Sequence, residues 1–207
     1  MKHSKSSKRW LQEHFDDEYV KKAQAEGYRS RAVYKLKEID DKEHLIRPGM
    51  IVVDLGAAPG GWTQYAAEKM HGRGVLVALD LLPMDPIPNV QMIVGDFRED
   101  EVLEQLMMLI PRQGVDLVIS DMAPNMSGTP EVDIPRAMYL AELVFDFAQQ
   151  VLKPGGAVLM KLFHGSGFEE LVKLARAQFT RIVIRKPNAS RKRSRETYLL
   201  ATGYYYK

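Results

Sequence analysis

Apolar positions along the chain keep two rhythms. From about residue 48 onward, short apolar runs that end in Gly, Pro or Asp alternate with longer stretches whose apolar residues recur at helical spacing. This predicts strand 50–54, helix 62–70, strand 74–80, a short strand 90–94, helix 99–110, strand 115–120, helix 134–152, strand 156–163, helix 167–178, strand 180–186 and strand 196–203. Gly72-Arg73-Gly74, Gly95-Asp96 and Lys153-Pro154-Gly155-Gly156 punctuate the pattern. Ahead of it, residues 1–9 are polar and basic and read as a disordered arm. Residues 10–26 mix Trp10, Leu11, Phe15, Tyr19 and Val20 with charges at near-helical spacing. A second helix is expected over about 30–43, with Ala32, Val33, Leu36 and Ile39 facing inward and Ser30 as its cap, and Arg47-Pro48-Gly49 as the following turn. Strand alternating with helix is the mark of a doubly wound α/β fold. The last two strands follow one another without a helix, which predicts an antiparallel hairpin at the sheet edge. One domain over 1–207 is expected, with N-terminal helices in 10–47 and a core in 48–207.

The segment IVVDLGAAPGGW, residues 51–62, changes the picture from fold to chemistry. A buried strand breaks at Asp54 into a turn holding Gly56, Gly60 and Gly61, and helix-forming sequence follows from Trp62. Glycine lets backbone approach a ligand, and the helix start offers unpaired N–H groups. The spacing is not GxGxxG, and Pro59 stiffens the turn. That favours S-adenosylmethionine, which has no pyrophosphate to wrap, over a dinucleotide.

Charge narrows the partners. The net charge is only +2, but residues 1–47 carry 12 Lys/Arg against 9 Asp/Glu, residues 48–172 carry 7 against 17, and residues 173–207 carry 10 against 1. The acidic middle contains the glycine turn, and the basic ends suit a polyanion. RKPNASRKRSR, residues 185–195, holds six cations and no anion. Those charges would repel one another without a partner, so Arg191, Lys192, Arg193 and Arg195 are candidate nucleic-acid contacts. There is no cysteine, which excludes disulfides and thiolate metal sites. The histidines are scattered, and no metal constellation appears. No apolar run approaches the roughly 20 residues that span a bilayer, and no leader pattern precedes the fold, so a cytoplasmic protein without membrane attachment is expected.

Acidic residues recur at the C-terminal ends of the predicted strands: Asp54, Asp80, Asp96 and Asp121. Ligands bind at that edge of an open α/β sheet. Asp80 is placed to accept hydrogen bonds from ribose hydroxyls and Asp96 from an adenine amino group, whereas Asp54 can order the glycine turn without touching ligand. Met107-Met108 reads as core, and Tyr204-Tyr205-Tyr206 as the end of an edge strand.

DLGAAPGGW, then LD at 79–80, GDF at 95–97, SDMAPNMSG at 120–128, KPGG at 153–156 and VLMKLF at 158–163 together resemble the FtsJ-type RNA ribose methyltransferases. RWLQEHF at 9–15, SRAVYKL at 30–36, LLPMDPI at 81–87, VDIPRAMYL at 132–140 and SRKRSRETY at 190–198 extend the likeness to the bacterial large-subunit ribosomal RNA branch of that family. The resemblance implies a Rossmann-like, seven-stranded, mostly parallel sheet with an antiparallel C-terminal hairpin. It implies S-adenosylmethionine as cofactor and 2′-O-methylation of a uridine in the A loop of 23S ribosomal RNA, in the large ribosomal subunit, by a monomer. The family's Lys-Asp-Lys-Glu set falls on Lys35, Asp121, Lys161 and Glu196, and its cofactor contacts fall on Gly60, Trp62, Asp80, Asp96 and Asp121.

The residue types fit that chemistry. A ribose 2′-hydroxyl is a poor nucleophile until its proton leaves, and in-line positioning supplies much of the rate. Lys161 ends an apolar strand, an expensive place for a lone cation, and lysine changes its protonation readily when buried. Lys35 and a sulfonium would favour its neutral form, and Asp121 and Glu196 would oppose that. Two other functions stay open on the sequence alone: 2′-O-methylation of transfer RNA, and RNA binding by a ribosome-assembly factor with a vestigial pocket.

Overall fold

The computed structural model describes residues 17–191 and 193–205. The predicted basic arm, the first part of the 10–26 helix, Lys192 and Tyr206 lie outside them. Strands β1 (Ile51–Leu55), β2 (Val75–Asp80), β3 (Val90–Val94), β4 (Val115–Ser120), β5 (Leu152–Phe163), β6 (Phe179–Arg185) and β7 (Glu196–Tyr204) form one sheet in the order β3-β2-β1-β4-β5-β7-β6. The helices are α1 (Glu18–Glu26), α2 (Val33–Glu43), α3 (Gly61–Met70), α4 (Asp100–Leu109), α5 (Pro130–Val151) and α6 (Phe168–Arg176). None is long and apolar enough to cross a membrane, among the described residues.

Strand alternation sends successive side chains to opposite faces, and two cores result. Val53, Leu55, Val77, Leu79, Val118, Val158 and Met160 pack with Leu106 of α4, Phe145 and Ala148 of α5, and Leu171 of α6. Val52, Leu76, Leu117, Ile119 and Leu159 pack on the other face with Leu36 and Ile39 of α2 and Trp62, Tyr65 and Ala66 of α3. Each fully buried aliphatic or aromatic side chain contributes about 1.5–3 kcal/mol, so central strands covered on both faces read as continuous apolar runs. The same parity puts Asp54, Lys161, Glu196 and Tyr198 on the face that α2 and α3 cover.

Most predicted boundaries fall within a residue or two of those observed, and the departures have local causes. β5 begins at Leu152 rather than 156, because Leu152 still pairs with Val115 and a register shift between Val115 and Leu117 absorbs the Lys-Pro-Gly-Gly segment. α5 begins at Pro130, four residues early, with proline in its first turn. Ser30 does not cap α2, whose N-cap is Ala32 without a side-chain bond. The Ser30 hydroxyl instead lies where a Cβ on Gly61 would come within 2.4 Å of it. The C-terminal hairpin forms, but β7 lies between β5 and β6, antiparallel to both, so β6 is the edge. Tyr204 is therefore not at an edge: it is buried against Phe179, 5.2 Å between ring centres. Met107 and Met108 are 42% and 80% exposed rather than core, beside Asp100 and Glu104 in a shallow hollow on α4.

Candidate active site

The carboxyl ends of β1, β2 and β4 surround a cavity of about 700 Å³, with Gly56, Ala58, Asp80, Asp96, Asp121 and Asn125 in its wall. That volume suits a small ligand. Gly56 has φ 78°, and a Cβ there would lie 2.3 Å from Met122 Cγ, so only glycine lets the β1 turn meet the segment after β4. The Asp80 carboxylate accepts from Ala58 N on one oxygen and Leu82 N on the other, both at 2.9 Å. Each oxygen keeps a lone-pair direction open. Asp96 is gripped by its neighbour: Arg98 donates from Nε at 2.9 Å and from Nη2 at 2.5 Å. The Arg98 side chain, joined by its backbone N–H, holds the Asp96 carboxyl down at about 2.

Two predicted cofactor residues stand apart from this wall. Trp62 is buried, its indole N–H donates to Ala32 O at 2.8 Å, and its ring packs 5.7 Å from that of Tyr198. Its backbone N–H stands in the first turn of α3, among the groups that a helix leaves without an intrahelical partner. Gly60 has φ 105°, and a Cβ there would come within 3.0 Å of Arg29 and of Met84 Sδ. Arg29 in turn donates to the carbonyls of Asp85 and Pro86. Asp54 is 1% exposed; it accepts from Thr63 Oγ1 at 2.6 Å through one oxygen, and the other has no hydrogen-bond partner. Burial pushes its carboxyl up to about 7; the Thr63 hydroxyl opposes this, and the Asp121 and Asp80 charges reinforce it.

Lys35, Asp121, Lys161 and Glu196 form one chain of charge. Lys161 Nζ lies 2.7 Å from Asp121 Oδ1 and 4.0 Å from Glu196 Oε2, and it donates to Asp121 O at 2.9 Å. Lys35 Nζ lies 2.8 Å from Glu196 Oε1. Burial pushes both carboxyls up, but the two ammonium groups outweigh it and hold Asp121 and Glu196 below their ordinary values. The elements explain the meeting. β4 and β5 are parallel neighbours, so Asp121 at the end of one reaches Lys161 near the end of the other. In the antiparallel β5–β7 pair, Lys161 faces Tyr198 and Phe163 faces Glu196.

Tyr198 is a residue the sequence reading missed. It is fully buried, its hydroxyl donates to Asp121 Oδ1 at 2.5 Å, and Lys35 Nζ sits 5.8 Å from its ring centre. Burial first, then the Asp121 charge, raises its hydroxyl well above the ordinary value. The signal was present: Glu196 and Tyr198 are two apart on a strand and so share a face.

The basic segment 185–195 is docked rather than free. Glu38 of α2 accepts from Asn188 N at 2.7 Å and Ala189 N at 2.9 Å, and Arg31 donates to Ala189 O. Asp17 pairs with Arg31 and lies 4.0 Å from Arg191 Nε, while Glu43 pairs with Arg185. Anions of the N-terminal helices thus offset part of the repulsion expected inside the loop. Arg193 and Arg195 are exposed, and Lys192 lies outside the described residues.

The profile of the FtsJ-like methyltransferase family matches residues 28–204. A protein of Legionella pneumophila (strain Paris) named ribosomal RNA large subunit methyltransferase E is 75% identical over 204 residues, 99% of both chains. The protein of that name from strain Lens is 74% identical over the same length. Among solved structures, a Plasmodium falciparum chain described as a ribosomal RNA methyltransferase is 29% identical with a TM-score of 0.78, covering 86% of this chain and 98% of that one. A fibrillarin/Nop5p complex at 17% identity and TM-score 0.59, covering 82% and 81%, shares the fold. The sheet order, the strand-end carboxylates and these likenesses agree: the chain belongs to the FtsJ-like methyltransferase family.

Proposed function

We propose that this methyltransferase uses S-adenosylmethionine to methylate the 2′-hydroxyl of a uridine ribose in the A loop of 23S ribosomal RNA, within the large ribosomal subunit. The observation that carries the reading is the Lys35–Glu196–Lys161–Asp121 chain, which adjoins the cavity through Asp121. The name shared by relatives about three-quarters identical supports the substrate class.

The residues present fit the cofactor. Asp80 has open lone pairs that would accept from ribose hydroxyls, Asp96 in the same wall would accept from an adenine amino group, and the start of α3 after Gly60 would offer the backbone N–H of Trp62. When bound, S-adenosylmethionine supplies an electrophilic methyl group on a sulfonium centre. Among the described residues the Asp80 carboxylate has no cationic partner and turns a negative group toward a cationic ligand, whereas Asp96 and Asp121 are paired with Arg98 and Lys161.

On this reading Lys161 handles the ribose hydroxyl. As an ammonium it donates to the 2′-oxygen and aims a lone pair at the methyl group; as an amine it takes the proton. Asp121 holds it through both a side-chain and a main-chain oxygen, and Tyr198 fixes Asp121. Lys35, held by Glu196, places a second cation beside the same oxygen. The exposed arginines of the 185–195 loop take RNA phosphates. A single chain, working on ribosomal particles in the cytoplasm, suffices for all of this.

Incubation with methyl-labelled cofactor and, separately, large subunits, small subunits or transfer RNA tests the reading. Label entering large-subunit RNA is the expected result. Label in transfer RNA alone would move the enzyme to that substrate, and RNA binding without transfer would leave an assembly factor.

A further inference from the structure

The carboxylates that line the cofactor cavity give RNA phosphates no partner. Asp80, Asp96 and Asp121 all face the cavity whose edge the RNA must cross. Of the two arginines in the same wall, Arg98 is neutralised by its fork on Asp96. The other is Arg136, on α5. It is exposed, and among the described residues it makes no hydrogen bond or ion pair. It acts electrostatically on Asp133, but that carboxylate is already taken by Ser127 N, Ser127 Oγ and Gly128 N at 2.8–2.9 Å.

Three residues on lies Tyr139, 50% exposed and also in the cavity wall. Residues three apart on a helix are neighbours on its surface. The pair therefore presents one cation and one aromatic face together, while Ala137, Met138 and Ala141 turn into the core. An exposed aromatic ring beside an unpaired arginine is the chemistry that holds a nucleobase and its phosphate. Location adds direction. The basic 185–195 loop is docked against α2, on one face of the sheet, and α5 covers the other. Asp121 and Lys161, where the target ribose must sit, are at the strand ends between them. A strand of RNA that enters over the loop and offers a ribose to Lys161 leaves over Arg136 and Tyr139.

We propose that Arg136 and Tyr139 form an RNA subsite on α5, in which the guanidinium takes a phosphate adjoining the target ribose and the ring stacks on a flanking base. The proposal rests on the methyl-transfer reading of the same cavity. Its test uses the full chain and unmethylated large ribosomal subunits, with affinity measured against salt and cofactor affinity measured separately by calorimetry. Arg136→Gln should lower the slope of log K against log salt by about 0.7, the value for one single-stranded phosphate contact, and Arg136→Lys should keep it. Tyr139→Leu should weaken subunit binding roughly tenfold, within the range for loss of one base stack, and Tyr139→Phe should not. In Arg136→Gln and Tyr139→Leu any loss of cofactor affinity should be much smaller than the loss of subunit affinity, because both residues also line the cofactor cavity. Wild-type subunit affinity and salt slope in Arg136→Gln and Tyr139→Leu would overturn the subsite and leave the methyl-transfer reading intact. Loss of cofactor affinity with subunit binding unchanged would assign Arg136 to the cofactor and overturn it equally. A wild-type protein that neither binds nor methylates the subunits would overturn the underlying reading, and the subsite with it.

Discussion

Asp54 is a buried carboxyl that its surroundings keep protonated well above the usual range, and replacing it with asparagine has a calculable consequence. The side chain is 1% exposed, so solvent screening does not dilute the effect. Its value of about 7 in the folded protein stands against 3.8 for a free aspartate. At about 1.4 kcal/mol per pH unit, that difference is worth about 4 kcal/mol. For an acid whose value is raised by folding, the stabilisation is fully present below pH 3.8 and is lost as pH rises to about 7. Asparagine mimics the protonated form, still accepts from Thr63 Oγ1, and does not titrate. Less than half of that stabilisation is already lost by pH 5, so Asp54→Asn should gain about 2–3 kcal/mol over wild type between pH 5 and pH 8. For a chain of this length that corresponds to roughly 5–10 °C in Tm. Urea or thermal unfolding of both proteins across that pH range measures it, and the difference between them cancels the other titrating groups. A stability gap that does not change with pH would refute the argument and show Asp54 to be ionised throughout.

Asp80→Ala should weaken S-adenosylmethionine binding by about 1.5–3 kcal/mol, as expected for hydrogen bonds to a charged group; unchanged affinity by calorimetry in a folded variant would remove Asp80 from the site. Neutralising Arg191, Lys192 and Arg193 together should weaken RNA binding and flatten its salt dependence, whereas wild-type affinity and slope would make the loop a solvated surface. Glu38→Ala removes the acceptor of Asn188 N and Ala189 N and should speed hydrogen exchange at those two amides while the β5 amides stay protected. Unaltered exchange there would mean that other contacts dock the loop.

The fold was legible because each central strand is a short apolar run between turn residues, and α2, α3 and α5 carry apolar positions at helical spacing. β5 was read late because Pro154, Gly155 and Gly156 look like a turn; pairing of Leu152 with Val115 keeps them in the strand, which only a three-dimensional register reveals. Met107 and Met108 look like core by composition, but α4 turns them outward from Val102 and Leu106. Of the strand-end acids, Asp80, Asp96 and Asp121 meet in one cavity wall, because side chains at the carboxyl edge of a parallel sheet converge, whereas Asp54 lies buried within β1. What they bond to was not legible. The Arg98 fork on Asp96 is a local rotamer choice, and the capture of the Trp62 indole by Ala32 O needs the long-range packing of α2 on α3. Tyr198 was missed although strand parity pointed to it, because a tyrosine in an apolar strand reads first as core.

The most direct measurement of the central claim is nucleoside analysis of unmethylated large ribosomal subunits after incubation with S-adenosylmethionine and wild-type, Lys161→Ala or Lys161→Arg protein. Wild type should produce 2′-O-methyluridine. Lys161→Ala should produce none while keeping near-wild-type affinity for cofactor and RNA, because the contribution of Lys161 belongs to the transition state. Lys161→Arg should fail to rescue if the proton leaves through the lysine, since guanidinium cannot accept it. Turnover by the arginine variant near the wild-type rate would restrict Lys161 to orienting the hydroxyl, and near-wild-type turnover by the alanine variant would contradict the account.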